Sequence, residues 1–329
     1  MEWLNPAQNP HLLGHRAAEE SLFEAHKNGR LGQAWIFYGP KGIGKATLAY
    51  RLARFLLSQH TATGNNDSLL FAPPPVAAVG LEVKPDHRAF RLVANNSHPD
   101  LFVIPRTGEE VKSEIGIDQV RDCIQFLRST PQEGGWRIVI VDGADTLTRA
   151  AANALLKILE EPPKQSLLIL TSITLGRLLP TIRSRCRKLA LQRLGDQDLT
   201  RLMELMKVEA AYKPLLPLAQ GSPGFLAQLL AEEEVEKFTN LITAAADPLQ
   251  RQELAEILGA KDNAGTHELA RHILLTQISD QLRQLARQGK KDMTGLERWQ
   301  VLKEWFAESE ALGYDRKQSW LQAFQKLAA

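Results

Sequence analysis

The sequence predicts an α/β domain built on a parallel sheet, followed by a region made of helices alone. Up to about residue 193, short apolar runs alternate with segments of helical periodicity, and this alternation is typical of a parallel sheet covered on both faces. A glycine-rich segment, 39–44, lies between the first predicted strand and the next helix. After residue 194, apolar residues recur at helical spacing only.

The elements of the first domain follow from apolar periodicity and from the residues that stop each run. Pro162 and Pro163 end the last helix, because proline has no amide hydrogen and disfavours helix in the residue before it. Residues 59–100 contain three consecutive prolines and no sustained periodicity, so an irregular insertion is expected there. The predicted strands are 35–38, 101–104, 137–141, 167–171 and 188–191, and the predicted helices are 14–28, 45–58, 117–128 and 148–161.

Composition excludes several classes of protein. A chain of 329 residues with 44% hydrophobic and 24% charged residues is globular, with two or three folded units. The net charge of +2 is too small for DNA binding by overall charge alone. Cys123 and Cys186 are the only cysteines, so neither a disulfide framework nor a zinc module is expected. The sequence shows no signal or membrane-spanning pattern, and we expect a cytoplasmic protein.

The glycine-rich segment nearly matches the phosphate-binding pattern G-x-x-x-x-G-K-[ST]. Glycines allow successive amide hydrogens to curl round phosphate oxygens, the lysine reaches the terminal phosphates, and a helix begins there with its positive end. An ordinary glycine-rich turn is the plainer alternative. Ala46 replaces the hydroxyl residue that holds magnesium, and Thr47 points about 100° away on a helix. The predicted nucleotide-binding residues are Gly39, Pro40, Lys41, Gly42, Ile43, Gly44, Lys45, Ala46 and Thr47.

A second acidic signature follows the strand predicted at 137–141. Asp142, at its carboxyl end, could hold a metal ion through water. By itself, such an acid can equally cap the turn that follows. Gly143 comes next, and a glycine has no side chain that could act as a base. Asp145 lies two residues beyond it, and its reach is left open. We therefore expect a degenerate site in which any bound ATP or ADP is not hydrolysed; the sequence leaves open whether the loop holds ATP, ADP or no nucleotide.

Two further segments resemble the AAA+ clamp-loader family of DNA replication. Residues 150–163 carry the N-A-L-L-K-x-L-E-E-P-P pattern, and Ser184, Arg185 and Cys186 form the family's Ser-Arg-Cys triplet. With Gly14, His15 and the glycine-rich segment, the resemblance covers most of residues 10–190. It implies an AAA+ P-loop NTPase-type domain, a small helical lid and an all-α collar domain.

The resemblance also implies roles for single residues. Arg185 matches the arginine finger, which projects into a neighbouring subunit's ATP site, and a guanidinium suits the charge on transferring phosphoryl oxygens. Thr171 matches the family's phosphate-sensing polar residue, with an offset of one position. Gly224 stands where active members carry an arginine that senses phosphate in cis. Three hydrolysis parts are thus replaced, at Ala46, Gly143 and Gly224, while the part offered in trans is retained.

This asymmetry implies a non-motor subunit of a clamp loader. The expected domains are an AAA+ domain at 1–193, a lid at 194–235 and an oligomerising collar at 236–329. The expected partners are the ATPase and delta subunits of the loader, the sliding clamp indirectly, and primed DNA through the complex. Neither a metal site nor a membrane contact is expected. The alternatives are an active ATPase motor of the same family and a P-loop nucleotide kinase, which the Ser-Arg-Cys triplet disfavours.

Overall fold

The computed structural model describes residues 5–59, 80–106, 114–208, 216–231, 248–260 and 264–328. The strands are β1 Ala34–Tyr38, β2 Leu101–Ile104, β3 Arg137–Val141, β4 Ser166–Ser172 and β5 Arg187–Ala190. The helices up to residue 205 are α1 Arg16–Lys27, α2 Lys45–Ser58, α3 Arg88–Ala94, α4 Ile117–Arg128, α5 Arg149–Glu160, α6 Pro180–Arg185 and α7 Asp196–Leu205. Those that follow are α8 Leu216–Ala219, α9 Pro223–Ala231, α10 Pro248–Gly259, α11 Ala264–Arg287, α12 Met293–Leu312 and α13 Arg316–Ala328.

The five strands form one parallel sheet in the order β2-β3-β4-β1-β5. The predicted fold class is therefore confirmed, including the fifth strand, which pairs with β1 at the edge of the sheet. The chain crosses from β1 to the far edge at β2, returns to β4, and then passes to β5 on the other side of β1. Ligands of parallel α/β sheets bind outside the carboxyl ends of the strands, where the strand order reverses.

Successive residues of each strand supply two different apolar cores. Phe37, Ile138 and Ile169 face one side of the sheet and pack with α2 residues such as Leu52. Their sequence neighbours face the other side and pack with α4 and α5; among them are Ile36, Val139 and Leu170. Because both faces are buried, the inner strands read as continuous apolar runs rather than as alternating ones. This packing makes the carboxyl ends of the strands a fixed platform for the loops that follow.

Part of the insertion predicted at 59–100 is regular, which corrects that prediction. Helix α3 lies within it, and the His87 side chain accepts a hydrogen bond from the Ala89 amide at its start. Asp100 is 1% exposed, and its carboxylate accepts bonds from the amides of Gln132 (2.8 Å) and Glu133 (2.9 Å). The helix has seven residues, too few to show a sustained apolar period in the sequence. Residues 60–79 lie outside the described part.

The chain folds into two compact units. The first comprises Met1–Met206 and Gly221–Gly224, and the second comprises Lys207–Gln220 and Phe225–Ala329. In the described part of the second unit all regular elements are helices, and Trp320, Phe306 and Phe324 form its aromatic core at 0–2% exposure. The finer division into domains 1–193, 194–235 and 236–329 stays a prediction.

The described residues hold neither a membrane span nor a cluster of metal ligands. None of their helices is both long and apolar enough to cross a bilayer. None of their histidine, cysteine and acidic side chains come together as a metal-binding group.

Candidate functional site

The turn between β1 and α2 has the backbone of a phosphate-binding loop. Gly39, Gly42 and Gly44 have φ values of +148°, +74° and +101°, which residues other than glycine rarely adopt. At Gly39 a Cβ would lie 2.2 Å from the Leu191 carbonyl oxygen, so only glycine fits there. No described side chain caps the N-terminus of α2. Its first amide hydrogens, together with the helix dipole, can therefore receive an anion.

The Lys45 ammonium lies inside this loop. Its Nζ donates to the carbonyl oxygens of Gly39 (2.7 Å) and Pro40 (2.5 Å), and the residue is 6% exposed. Burial lowers the pKa of Lys45 to about 8, against the opposing pull of the Asp142 carboxylate. A cation held in a desolvated loop gains strongly from a phosphate group, because the low local dielectric strengthens their attraction. Ala46 and Thr47, in the first turn of α2, are half-buried.

His15 ties the segment before α1 to the loop. Its Nε2 donates to the Ile43 carbonyl oxygen at 2.6 Å. The residue is 6% exposed, and burial lowers its pKa. The neutral imidazole with hydrogen on Nε2 therefore fits this bond. Gly14 and His15 were both singled out before α1. Of the two, His15 holds the loop by a hydrogen bond from its side chain to the loop's backbone.

Asp142 and Thr171 are joined across the carboxyl ends of β3 and β4. The Thr171 hydroxyl donates to Asp142 Oδ1 at 2.5 Å and accepts a bond from the Gly143 amide at 2.9 Å. Thr171 is fully buried. Because its hydrogen is used on Asp142, its immediate role is to orient that carboxylate. A phosphate-sensing role for Thr171 would need a rearrangement of this pair.

The backbone conformation at Gly143 and the space around it both favour glycine at this position. Its φ is +89°, and a Cβ there would lie 3.3 Å from Arg106 Cγ. A glutamate at this position would carry the strain of the left-handed region. The absence of a base here is therefore part of the local structure.

Two arginines that the sequence did not point to form a charge cluster with Asp145, the acid that follows Gly143 by two positions. Asp145 has a fully buried side chain, and its Oδ1 accepts a bond from the Ile173 amide at 3.3 Å. Its Oδ2 lies 3.7 Å from Arg106 Nη2 and 3.7 Å from Arg177 Nη1. The three charged residues come from turns after three different strands, so linear spacing could not reveal them. The cluster acts on the Lys45 ammonium in both directions, because Arg106 lowers the pKa of Lys45 and Asp145 raises it.

The segment Gly221–Gly224 packs directly on the loop. The Gly224 amide donates to the Gly42 carbonyl oxygen at 2.8 Å, and Ser222 Oγ donates to the Lys41 carbonyl oxygen at 3.1 Å. A Cβ on Gly224 would lie 2.9 Å from Gly42 Cα. An arginine at position 224 therefore requires this contact to open. Glycine at position 224 allows this close backbone approach.

Arg185 lies apart from these residues, at the last position of α6. Its side chain is 35% exposed, and Nη2 donates to Glu160 Oε1 at 2.6 Å. Its Nη1 donates to the Thr181 carbonyl oxygen at 3.0 Å. The neighbouring residues Ile182 and Cys186 are buried in the core between α5, α6 and the sheet. The structure thus presents the predicted finger on the surface, on a helix end that is anchored beneath.

Comparison with known proteins gives concordant matches. The family model for the DNA polymerase III delta subunit matches residues 77–195. DNA polymerase III subunit delta' of Pseudomonas aeruginosa is 36% identical over 226 residues, which cover 68% of this chain and 62% of that protein. The subunit delta' of Escherichia coli K12 is 30% identical over 273 residues, or 80% of this chain and 74% of that protein.

The chain belongs to the DNA polymerase III subunit delta' family. Membership makes it a clamp-loader subunit of DNA polymerase III and confirms the family resemblance drawn from the sequence. Among solved structures, a gamma subunit-related protein of Thermotoga maritima matches with a TM-score of 0.45 and 19% identity, over 89% of this chain and 93% of that one.

We expect Thr171→Val to destabilise the fold. Valine keeps the shape but leaves the Gly143 amide and Asp142 Oδ1 without their shared hydroxyl, and such losses cost about 1–3 kcal/mol when buried. Urea unfolding measures the change, with Thr171→Ser as the control that retains a hydroxyl. Equal stability of the valine variant and the unmodified chain would show that the hydroxyl bonds contribute nothing.

The lowered pKa of Lys45 predicts that the stability of the fold depends on pH. Its pKa is about 8 in the folded chain and ~10.4 when unfolded. Between these values the unfolded chain holds a proton that the folded chain has lost, so the free energy of unfolding rises with pH. Relative to Lys45→Met, the unmodified chain should gain roughly 2–3 kcal/mol between about pH 7.5 and 10.5. Urea unfolding of both proteins across this range tests it, and a constant difference would contradict a lowered pKa.

Proposed function

We propose that this chain is the non-motor subunit of the clamp loader. It scaffolds the complex, helps to load the sliding clamp onto primed DNA, and supplies Arg185 in trans to a neighbouring ATPase subunit. The observation that supports this most directly is the contrast between two places in one domain. The site at the loop retains phosphate-binding features and lacks hydrolysis parts, whereas Arg185 is exposed on a firmly anchored helix end.

The loop supports binding of ATP or ADP without hydrolysis. Lys45, the glycines of the loop and the open N-terminus of α2 are the groups that would hold phosphates. Ala46 offers no hydroxyl to magnesium, and Gly143 offers no base. Asp142 retains an acid, but its Oδ1 is engaged by Thr171. Any bound nucleotide would therefore stay intact, and the chain by itself would have no ATPase activity.

The motor alternative needs three parts that this chain lacks. A magnesium-binding hydroxyl, a general base and a cis-acting arginine are replaced at Ala46, Gly143 and Gly224. At Gly143 and Gly224 the structure also leaves little room for a side chain. Turnover of ATP by the purified chain at rates typical of motors would restore that alternative and overturn our proposal.

The proposed setting follows from this role. The partners are the ATPase and delta subunits of the loader, joined through helices of the C-terminal region. The sliding clamp is contacted indirectly, and primed DNA through the complex. The chain acts in the bacterial cytoplasm as part of the DNA polymerase III holoenzyme.

Arg185→Ala tests the role in trans. We expect the ATPase rate of the reconstituted loader with clamp and primed DNA to fall at least about tenfold, or ~1.4 kcal/mol in activation free energy. Arginine fingers of GTPases are worth about 10³–10⁵ in rate, so a tenfold effect is a lower bound. Assembly of the complex should be unchanged, because the side chain is not part of the core.

The matched control is Arg183→Ala, which removes a cation two positions away on the same helix. It should leave the rate within about twofold of the unmodified complex. An Arg185→Ala complex that assembles and hydrolyses ATP at the normal rate would remove Arg185 from the mechanism. An equal loss in both variants would indicate a general effect of charge instead of a finger.

A nucleotide-binding measurement tests the cis site. Isothermal titration of the purified chain with ADP should show binding that is lost in Lys45→Met, because the ammonium is the cation inside the loop. Lys27→Met serves as the control, since it removes a cation from the last turn of α1, outside the predicted nucleotide-binding residues, and keeps Lys45 in place. Equal affinity of the Lys45→Met variant would show that nucleotide binds elsewhere.

A further inference from the structure

The guanidinium of Arg185 is held by three acceptors from its own chain. Nη2 donates to Glu160 Oε1 at 2.6 Å, and Nη1 donates to the Thr181 carbonyl oxygen at 3.0 Å and to Ser184 Oγ at 3.4 Å. Thr181 and Ser184 belong to the same short helix as Arg185. Glu160 is the one contact of the three that comes from another element. It is also the shortest of the three and the one in which both partners are charged.

The backbone positions of the pair are fixed by the core beneath them. Glu160 is the last residue of α5, whose neighbours Ile158 and Leu159 are buried. On the other side, Ile182 and Cys186 anchor α6 and its end in the same core. The two side chains therefore meet above a packed junction of α5 and α6. The relative position of the Arg185 guanidinium and the Glu160 carboxylate therefore depends on the rotamers of these two side chains.

The pairing with Glu160 leaves some N–H donors of the Arg185 guanidinium available to bind a phosphate. A guanidinium carries five N–H groups, and three of them serve Glu160, Thr181 and Ser184. Within the described residues, the Nε–H and one hydrogen on Nη2 make no hydrogen bond. Two donors on one planar group match two oxygens of a phosphoryl group. Arg185 can thus face a triphosphate without leaving Glu160.

Exposure indicates that the pair does not exist for stability. The side chains of Arg185 and Glu160 are 35% and 51% exposed, and ion pairs in such positions contribute little to folding. What the pair does restrict is the arginine side chain, which has many rotamers when free. A group held in one orientation before the reaction loses less freedom when it acts.

We propose that Glu160 is a positioning residue for the arginine finger. It fixes the guanidinium of Arg185 over α6 so that its two remaining donors face the neighbouring subunit's triphosphate. This inference rests on the proposed role of Arg185 in trans. It also gives the E-E-P-P segment a specific part: Glu160 acts on the finger, whereas the Glu161 side chain makes no hydrogen bond or ion pair among the described residues.

The test uses the reconstituted loader with clamp and primed DNA. Glu160→Ala should lower kcat for ATP about fivefold and leave KM for ATP within about twofold, because orientation matters most when charge develops on the phosphoryl oxygens. Glu160→Gln should recover most of the rate, since its amide oxygen accepts the same bond. Glu161→Ala is the matched control and should be unchanged. Thermal unfolding of each chain checks that the fold is intact.

The Arg185→Ala background separates this inference from the proposed function. If Glu160 acts through the finger, Glu160→Ala should have no further effect in that background. A normal rate for Glu160→Ala, with Arg185→Ala still slow, would overturn the inference and leave the finger in place. A faster Glu160→Ala complex, or an equal loss in both backgrounds, would also overturn it. No effect of Arg185→Ala by itself would instead refute the proposed function.

Discussion

The site depends on one constraint, the register of five parallel strands that are buried on both faces. Pairing of Phe37 with Thr171, and of Val141 with Leu170, brings the ends of β1, β3 and β4 to one edge. The loop with Lys45, the acid at position 142 and the Thr171 hydroxyl follow from that alignment. A slip of one residue would turn each side chain to the opposite face, so packing of the two cores also fixes the site.

The backbone at positions 143 and 224 fits glycine and disfavours a larger residue. Gly143 occupies the left-handed region beside Arg106, and Gly224 lies against Gly42 too closely for a Cβ. A glutamate or an arginine at these positions would therefore require local rearrangement as well as a substitution. The bond from the Gly224 amide to the Gly42 carbonyl oxygen shows how closely the two segments approach each other.

Much of this could be read from the sequence. The strands, the helix stop at Pro162 and the glycine loop are local signals, because periodicity, proline and glycine act within a few residues. Long-range partners were not predictable in this way. The pairing of Thr171 with Asp142 and the burial of Asp145 depend on which strands become neighbours. Helix α3 was missed because it is short, and the contact of Ser222 with the loop spans 181 positions.

The proposed finger and the proposed nucleotide site draw on different parts of the same domain. Arg185 is supported by Ile182 and Cys186 beneath it and by Glu160 beside it. None of these residues contacts the loop at 39–47 through the hydrogen bonds or ion pairs of the described residues. Substitutions at Ala46, Gly143 or Gly224 thus leave the local support of Arg185 intact. The junction of α5 and α6 can therefore support the proposed role of Arg185 whatever residues occupy the loop.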